Sequence, residues 1–246
     1  MEYPQEHIVN QSGPDGDQTI SYGQSPDQII EIYGDLDSGS DQPTLVLLHG
    51  GYWRPTIDRK HLQPLAQKLS GLGFLVALVE YRREQGKPEQ YLEDILQGVN
   101  KLNSSSSILI GHSAGGHLAL LAGRKLTRCQ GIIAISPVAD LGLGIKENLG
   151  DGAIDLYLGE KISNYSDLDP IQLSPPECVV EIFHSDGDFI PVDIAKNYSL
   201  KKKLEGGSVN FTLVNNSDHF TLVDPRGHGF AILLQAIRAL AGNKSD

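Results

Sequence analysis

Gly111-His112-Ser113-Ala114-Gly115 sets a hydroxyl between two glycines. Ile108-Leu109-Ile110 before it reads as a buried strand, and Leu118, Leu121, Ala122 and Leu126 after it recur at helical spacing. Strand, sharp turn and helix is the setting in which Gly-x-Ser-x-Gly presents a nucleophilic serine. Such a turn predicts strained backbone at Ser113, with flanks that lack bulky side chains, a demand met by Gly111 and Gly115. The helix N-terminus behind the hydroxyl favours developing negative charge. The competing interpretation is a glycine-rich turn with an incidental serine.

A serine hydroxyl needs a base, and a histidine suits because it titrates near neutral pH. The imidazole in turn needs a carboxylate to fix its tautomer and stabilise the imidazolium. Ser113, Asp188 and His219 fill these roles in chain order. His219 follows the last apolar strand directly, and His228, at the start of the last helix, is its rival. His7 lies in a polar N-terminal stretch, and His61 and His117 fall on predicted helices. His49 and His112 sit inside glycine motifs, and His184 ends a strand and is expected to anchor the loop after it. Asp188 lies on that loop, and Asp186, nearer the strand, stays the alternative acid. Either carboxylate could instead cap the helix starting near Val192. An oxyanion needs preorganised N–H donors. Ala114, just after the nucleophile, supplies one, and Gly51 and Tyr52 in His49-Gly50-Gly51-Tyr52-Trp53 are the other candidates. Tyr52 and Trp53 are the substrate-pocket candidates, one ring lining it and the other packing beneath.

These residues need a scaffold that gathers them. Apolar runs at Ile29–Tyr33, Thr44–Leu48, 74–79, 132–135, 179–183 and Val209–Val214 read as strands. Helical patterns follow Asp58, start at Pro88 and at about Val192, and close the chain through Phe230, Leu233, Leu234, Ile237 and Leu240. Alternating strands and helices predict an α/β fold, with a mostly parallel central sheet and helices on both faces. Ligands of such sheets sit beyond the carboxyl ends of the strands. His49, Ser113, Asp188 and His219 each follow the end of a different strand. Residues from about 138 to 176 break the period and are expected to form a small cap-like insertion over the strand ends, within a single domain spanning 1–246.

The length of 246 residues suits one α/β domain. A net charge of -11 argues against nucleic acid or anionic membrane as a partner. No apolar run reaches the length of a membrane span, and the polar, acidic N-terminus predicts no secretory signal. Cys129 and Cys178 read as buried free thiols without metal-ligand spacing. A cytoplasmic protein is expected.

The serine–acid–histidine order, the elbow at 111–115, the His49-Gly50-Gly51-Tyr52-Trp53 loop and the Asp218-His219-Phe220 turn resemble the α/β-hydrolase superfamily, in its esterase/lipase branch. Within it the chain is similar to the kynurenine formamidase (arylformamidase) family and its bacterial relatives, which carry a His-Gly-Gly-x-Trp loop. The likeness covers about residues 29–241. Asp188 fits the His-Gly-x-x-Asp spacing counted from His184, with Ser185 in place of the usual glycine. The resemblance implies hydrolysis of an aryl formamide such as N-formylkynurenine, or of small acyl esters, with neither cofactor nor metal. A general carboxylesterase would keep the whole triad. A non-catalytic binding protein on the same scaffold would keep the pocket and lose part of the triad.

Overall fold

The computed structural model describes residues 11–36 and 42–242. His7, the N-terminal residues read for a leader, and part of the turn segment before Thr44 lie outside them. The strands are β1 (Gln18–Ser21), β2 (Ile29–Tyr33), β3 (Thr44–Leu48), β4 (Val76–Val79), β5 (Ser107–His112), β6 (Cys129–Ile135), β7 (Val179–Ser185) and β8 (Val209–Val214). The helices are α1 (Gln63–Ser70), α2 (Pro88–Lys101), α3 (Ala114–Gly123), α4 (Leu141–Lys146), α5 (Ala153–Leu158), α6 (Val192–Leu204) and α7 (Gly229–Leu240).

All eight strands form one sheet in the order β1-β2-β4-β3-β5-β6-β7-β8. β1 and β2 pair antiparallel at one edge, and β4 through β8 run parallel. The chain steps outward from β3 to β4, then returns to β5 on the other side of β3. That reversal opens a crevice between the ends of β3 and β5, where α/β sheets bind ligands. Register aligns the ends: Leu48 lies opposite Gly111, and His112 opposite Ile135.

The alternation of each strand splits the core in two. Leu45, Leu47, Ile108 and Ile110 pack with Leu65 and Leu69 of α1 and Leu233 and Ile237 of α7. Val46, Leu48 and Leu109 pack with Ile95 of α2, Leu118 and Leu121 of α3, and Ile194 of α6. Every residue of α3 is buried, so this helix can be apolar all round.

Several boundaries differ from the sequence expectation. Asp58 caps a 3-10 turn (Arg59–Leu62), accepting from the Lys60 N–H at 3.0 Å, and α1 follows only after it. β4 starts at Val76, β6 starts earlier at Cys129, and β7 runs on through His184 and Ser185. The stretch between β6 and β7 holds α4, α5 and two 3-10 turns, with Leu141, Ile154, Tyr157 and Leu158 buried. Cys129 and Cys178 are free thiols, as expected, but only half-buried, and their sulfurs lie 3.7 Å apart where β6 and β7 begin. Among the described residues no helix is long and apolar enough to cross a membrane.

Candidate active site

Ser113 joins β5 to α3 with φ 57° and ψ −121°, a conformation that costs an L-residue on the order of 1–3 kcal/mol. The surrounding packing enforces it. A Cβ on Gly111 would lie 2.2 Å from the Gly115 carbonyl oxygen, and one on Gly115 would lie 2.2 Å from that of Leu48. The Ser113 N–H donates to the Ile135 carbonyl at 2.8 Å, pinning the turn to β6. Ala114 opens α3, so its N–H has no acceptor one turn back and faces the region of the hydroxyl with the positive end of the helix.

Asp188 follows β7, and its side chain is 1% exposed. The His219 Nδ1–H donates to its two oxygens at 2.8 and 3.0 Å. Ser136 donates to Oδ2 at 2.5 Å, and the Ile190 N–H to Oδ1 at 2.9 Å. Burial alone would raise the carboxyl pKa, but the His219 charge and these bonds outweigh it and hold it down at about 2. With Nδ1 committed to Asp188, Nε2 is left as the basic nitrogen. The imidazole packs against Phe189, with ring centres 4.1 Å apart, and against His112, at 4.5 Å. His112 Nε2–H also donates to the His219 carbonyl at 2.9 Å, fixing the loop.

Asp186 is exposed and accepts from the Asn216 and Ser217 N–H groups at 3.0 and 3.1 Å, bracing the turn that carries His219. His228 is exposed at the start of α7. Neither carboxylate caps α6, whose N-cap is Pro191. His184 Nε2–H donates to the Ile190 carbonyl at 2.9 Å and so anchors the loop of Asp188.

The loop after β3 approaches the elbow because position 50 lacks a side chain: a Cβ there would lie 2.8 Å from Ser113 Cβ. Gly51, Tyr52 and Trp53 then take φ of 111°, 53° and 54° in succession, so the chain curls within three residues. Buried charge braces the loop from below. Glu80 accepts from His49 Nε2–H at 2.9 Å, from the Arg59 N–H at 3.1 Å and from the Tyr81 N–H at 3.0 Å, and pairs with Arg83. Burial first, and Arg83 second, push the His49 pKa down to about 3. The Tyr81 hydroxyl donates to the His49 carbonyl at 2.7 Å.

Gly51, Tyr52, Ile57, His61, His112, Ser113, Phe189, His219 and Phe220 line one cleft of about 320 Å³, its open mouth included. The structure thus brings Ser113, His219, Gly51 and Tyr52 together, with Asp188 behind His219. Among the described residues no hydrogen bond joins Ser113 to His219, a contact that in free enzymes often closes only around substrate. Of the two pocket candidates Tyr52 lines the cleft, whereas Trp53 is the packing ring of the pair. It is 1% exposed and lies outside the cleft, because its ring stacks on Tyr157 at 4.6 Å and meets His117 edge-on at 5.2 Å. His61, His112, Phe189 and Ser136 were missed as site residues. Ser136 follows the end of β6, so the strand-end rule that found the others covers it too. His61 sat inside a helical pattern that hid it. Among the described residues no cluster of His, Cys, Asp and Glu is arranged to hold a metal ion.

This architecture has close counterparts. The chain superposes on the crystal structure of esterase B from Lactobacillus rhamnosis with a TM-score of 0.75 at 18% identity, covering 96% of this chain and 90% of that one. The BD-FAE family profile matches residues 30–132, from β2 through the elbow to β6. The fold is that of the α/β hydrolases, and the profile match and structural neighbour are of the esterase kind. More particularly, the chain is distantly homologous to kynurenine formamidases over most of its length. It is 25% identical to that of Salmo salar, over 91% of this chain and 81% of the relative. To that of Danio rerio it is 23% identical, over 83% and 75%.

Proposed function

We propose that the protein is a serine hydrolase that cleaves an aryl formamide, or a comparably small acyl ester, through an acyl-enzyme. The observation that carries this reading is one cleft bearing both the strained Ser113 and a His219 whose other nitrogen is held by the buried, ionised Asp188. Ser113 Oγ attacks the carbonyl carbon while His219 Nε2 takes its proton. The oxyanion collects N–H bonds from Gly51, Tyr52 and Ala114. His219 then protonates the leaving nitrogen or oxygen, and water, activated by the same ring, releases the acid. No step needs a cofactor. The cleft is small even with its mouth counted, and Tyr52, Phe189 and Ile57 crowd it. This favours a formyl or short acyl group over a long chain. The distant homology to kynurenine formamidases supports an aryl formamide as the substrate class.

The test is kcat/KM on N-formylkynurenine beside a short-chain p-nitrophenyl ester, with Ser113→Ala as control. Formamide turnover exceeding ester turnover, and lost by more than about 1000-fold in Ser113→Ala, is expected. Ester turnover alone would reduce the assignment to a general carboxylesterase. Turnover unchanged by Ser113→Ala would overturn it.

A further inference from the structure

His61 lines the cleft beside Ser113 and His219, yet none of the steps above uses it. The ring is 5% exposed. Its Nδ1 lies 3.1 Å from the Asp58 carbonyl oxygen. A carbonyl only accepts, so Nδ1 carries the hydrogen. Burial and the neighbouring His49 keep the ring neutral, which leaves Nε2 as a bare lone pair. Among the described residues Nε2 makes no hydrogen bond. The nearby rings cannot serve in its place. His49 Nε2 is spent on Glu80 and His112 Nε2 on the His219 carbonyl, and His112 Nδ1, though unpartnered, is sealed by burial. His219 is the base itself. An accessible acceptor on a residue that lines a substrate cleft, with no partner in the protein, is available to a donor from the substrate.

We propose that His61 Nε2 accepts a hydrogen bond from the N–H of the scissile amide, making it a specificity-determining residue for amides over esters. The proposal rests on the serine hydrolase reading above and deepens it. An ester places oxygen where an amide has N–H, so it offers His61 no donor and gains nothing from the ring. An anilide held by its N–H keeps the nitrogen fixed while His219 delivers the proton that lets it leave. Sites that bond a substrate N–H discriminate strongly against analogues lacking it, because their own polar group is left unpaired.

The experiment compares formanilide with phenyl formate, which differ only by N–H against O, in wild type, His61→Leu and His61→Gln. His61→Leu is expected to lower kcat/KM on formanilide by at least about 20-fold and on phenyl formate by less than about 3-fold. His61→Gln, whose amide oxygen reaches a similar point, restores part of the selectivity. A purely structural role lowers both substrates by one factor, since misfolding removes active sites without regard to substrate, and that result overturns the proposal. Unchanged selectivity overturns it too. Wild-type turnover of phenyl formate without formanilide also overturns it, while leaving the serine hydrolase reading standing. No turnover of either substrate brings down that reading and this proposal with it.

Discussion

At the scale of single residues, the assignment turns on which carboxylate serves His219. Asp188 is buried and bonded to the ring, whereas Asp186 is exposed and bonded to backbone N–H groups of the histidine's own loop. The two substitutions therefore separate by their effect on kcat. Asp188→Asn keeps the volume, removes the charge and favours the wrong imidazole tautomer, so kcat falls by about 10³–10⁴, along with the stability its ionised carboxylate contributes at neutral pH. Asp186→Ala frees the turn, so Tm drops while kcat falls by less than about 10-fold. Steady-state kinetics and thermal melts on both variants check this, and a larger kcat loss at 186 would reverse the roles. The spacing in the sequence favoured Asp188, but only the fold shows why Asp186 is also needed: the β8 loop folds back onto it. Ser136 and His61 escaped notice for a related reason. A hydroxyl that meets a carboxylate on the next strand, and a ring that turns into a cleft from a helical pattern, leave no mark on local periodicity.

At the scale of elements, the strand–turn–helix at 107–123 was legible because its constraints are local. Apolar β5, two glycines flanking a serine and a helix apolar but for His117 each state their environment. The boundaries of α6 and β8 were readable for the same reason. The two short helices between β6 and β7 were not, since elements of this length carry too little period and are held by packing on Trp53 and its neighbours. The elbow also makes a steric prediction. A methyl at Gly115 would sit 2.2 Å from the Leu48 carbonyl oxygen and 2.5 Å from that of His49. Neither β3 nor the loop after it can retreat without moving the oxyanion donors. Gly115→Ala is expected to cost about 3 kcal/mol in chemical denaturation and to lower kcat/KM by more than about 100-fold. Near-wild-type kinetics would show that the approach of α3 to β3 does not set the site.

At the scale of the molecule, the topology collects groups from five strand ends, and the cost of burying them appears in acid. His49, His61, His112 and His117 all lie in the interior with pKa values pushed down, in each case first by burial. Below about pH 6.5 the unfolded chain binds protons that these folded rings refuse, so stability is full above that value and declines as pH falls. Each such ring costs up to about 1.4 kcal/mol per pH unit until its folded pKa is reached. Asp188 adds a second loss between about pH 4 and 2, as its depressed carboxyl takes up a proton. The expected result is a Tm that falls steeply from pH 7 to pH 5, before the carboxylates titrate. A flat Tm over that range would mean that the buried rings carry charge in the folded state. The central claim, that Ser113 is a nucleophile activated by His219, is tested most directly by a fluorophosphonate probe and peptide mass analysis. Stoichiometric labelling on the peptide bearing Ser113, absent in Ser113→Ala and slowed by more than about 100-fold in His219→Ala, is the predicted result. A folded protein that leaves Ser113 unlabelled, or labels it equally fast without His219, would contradict the claim.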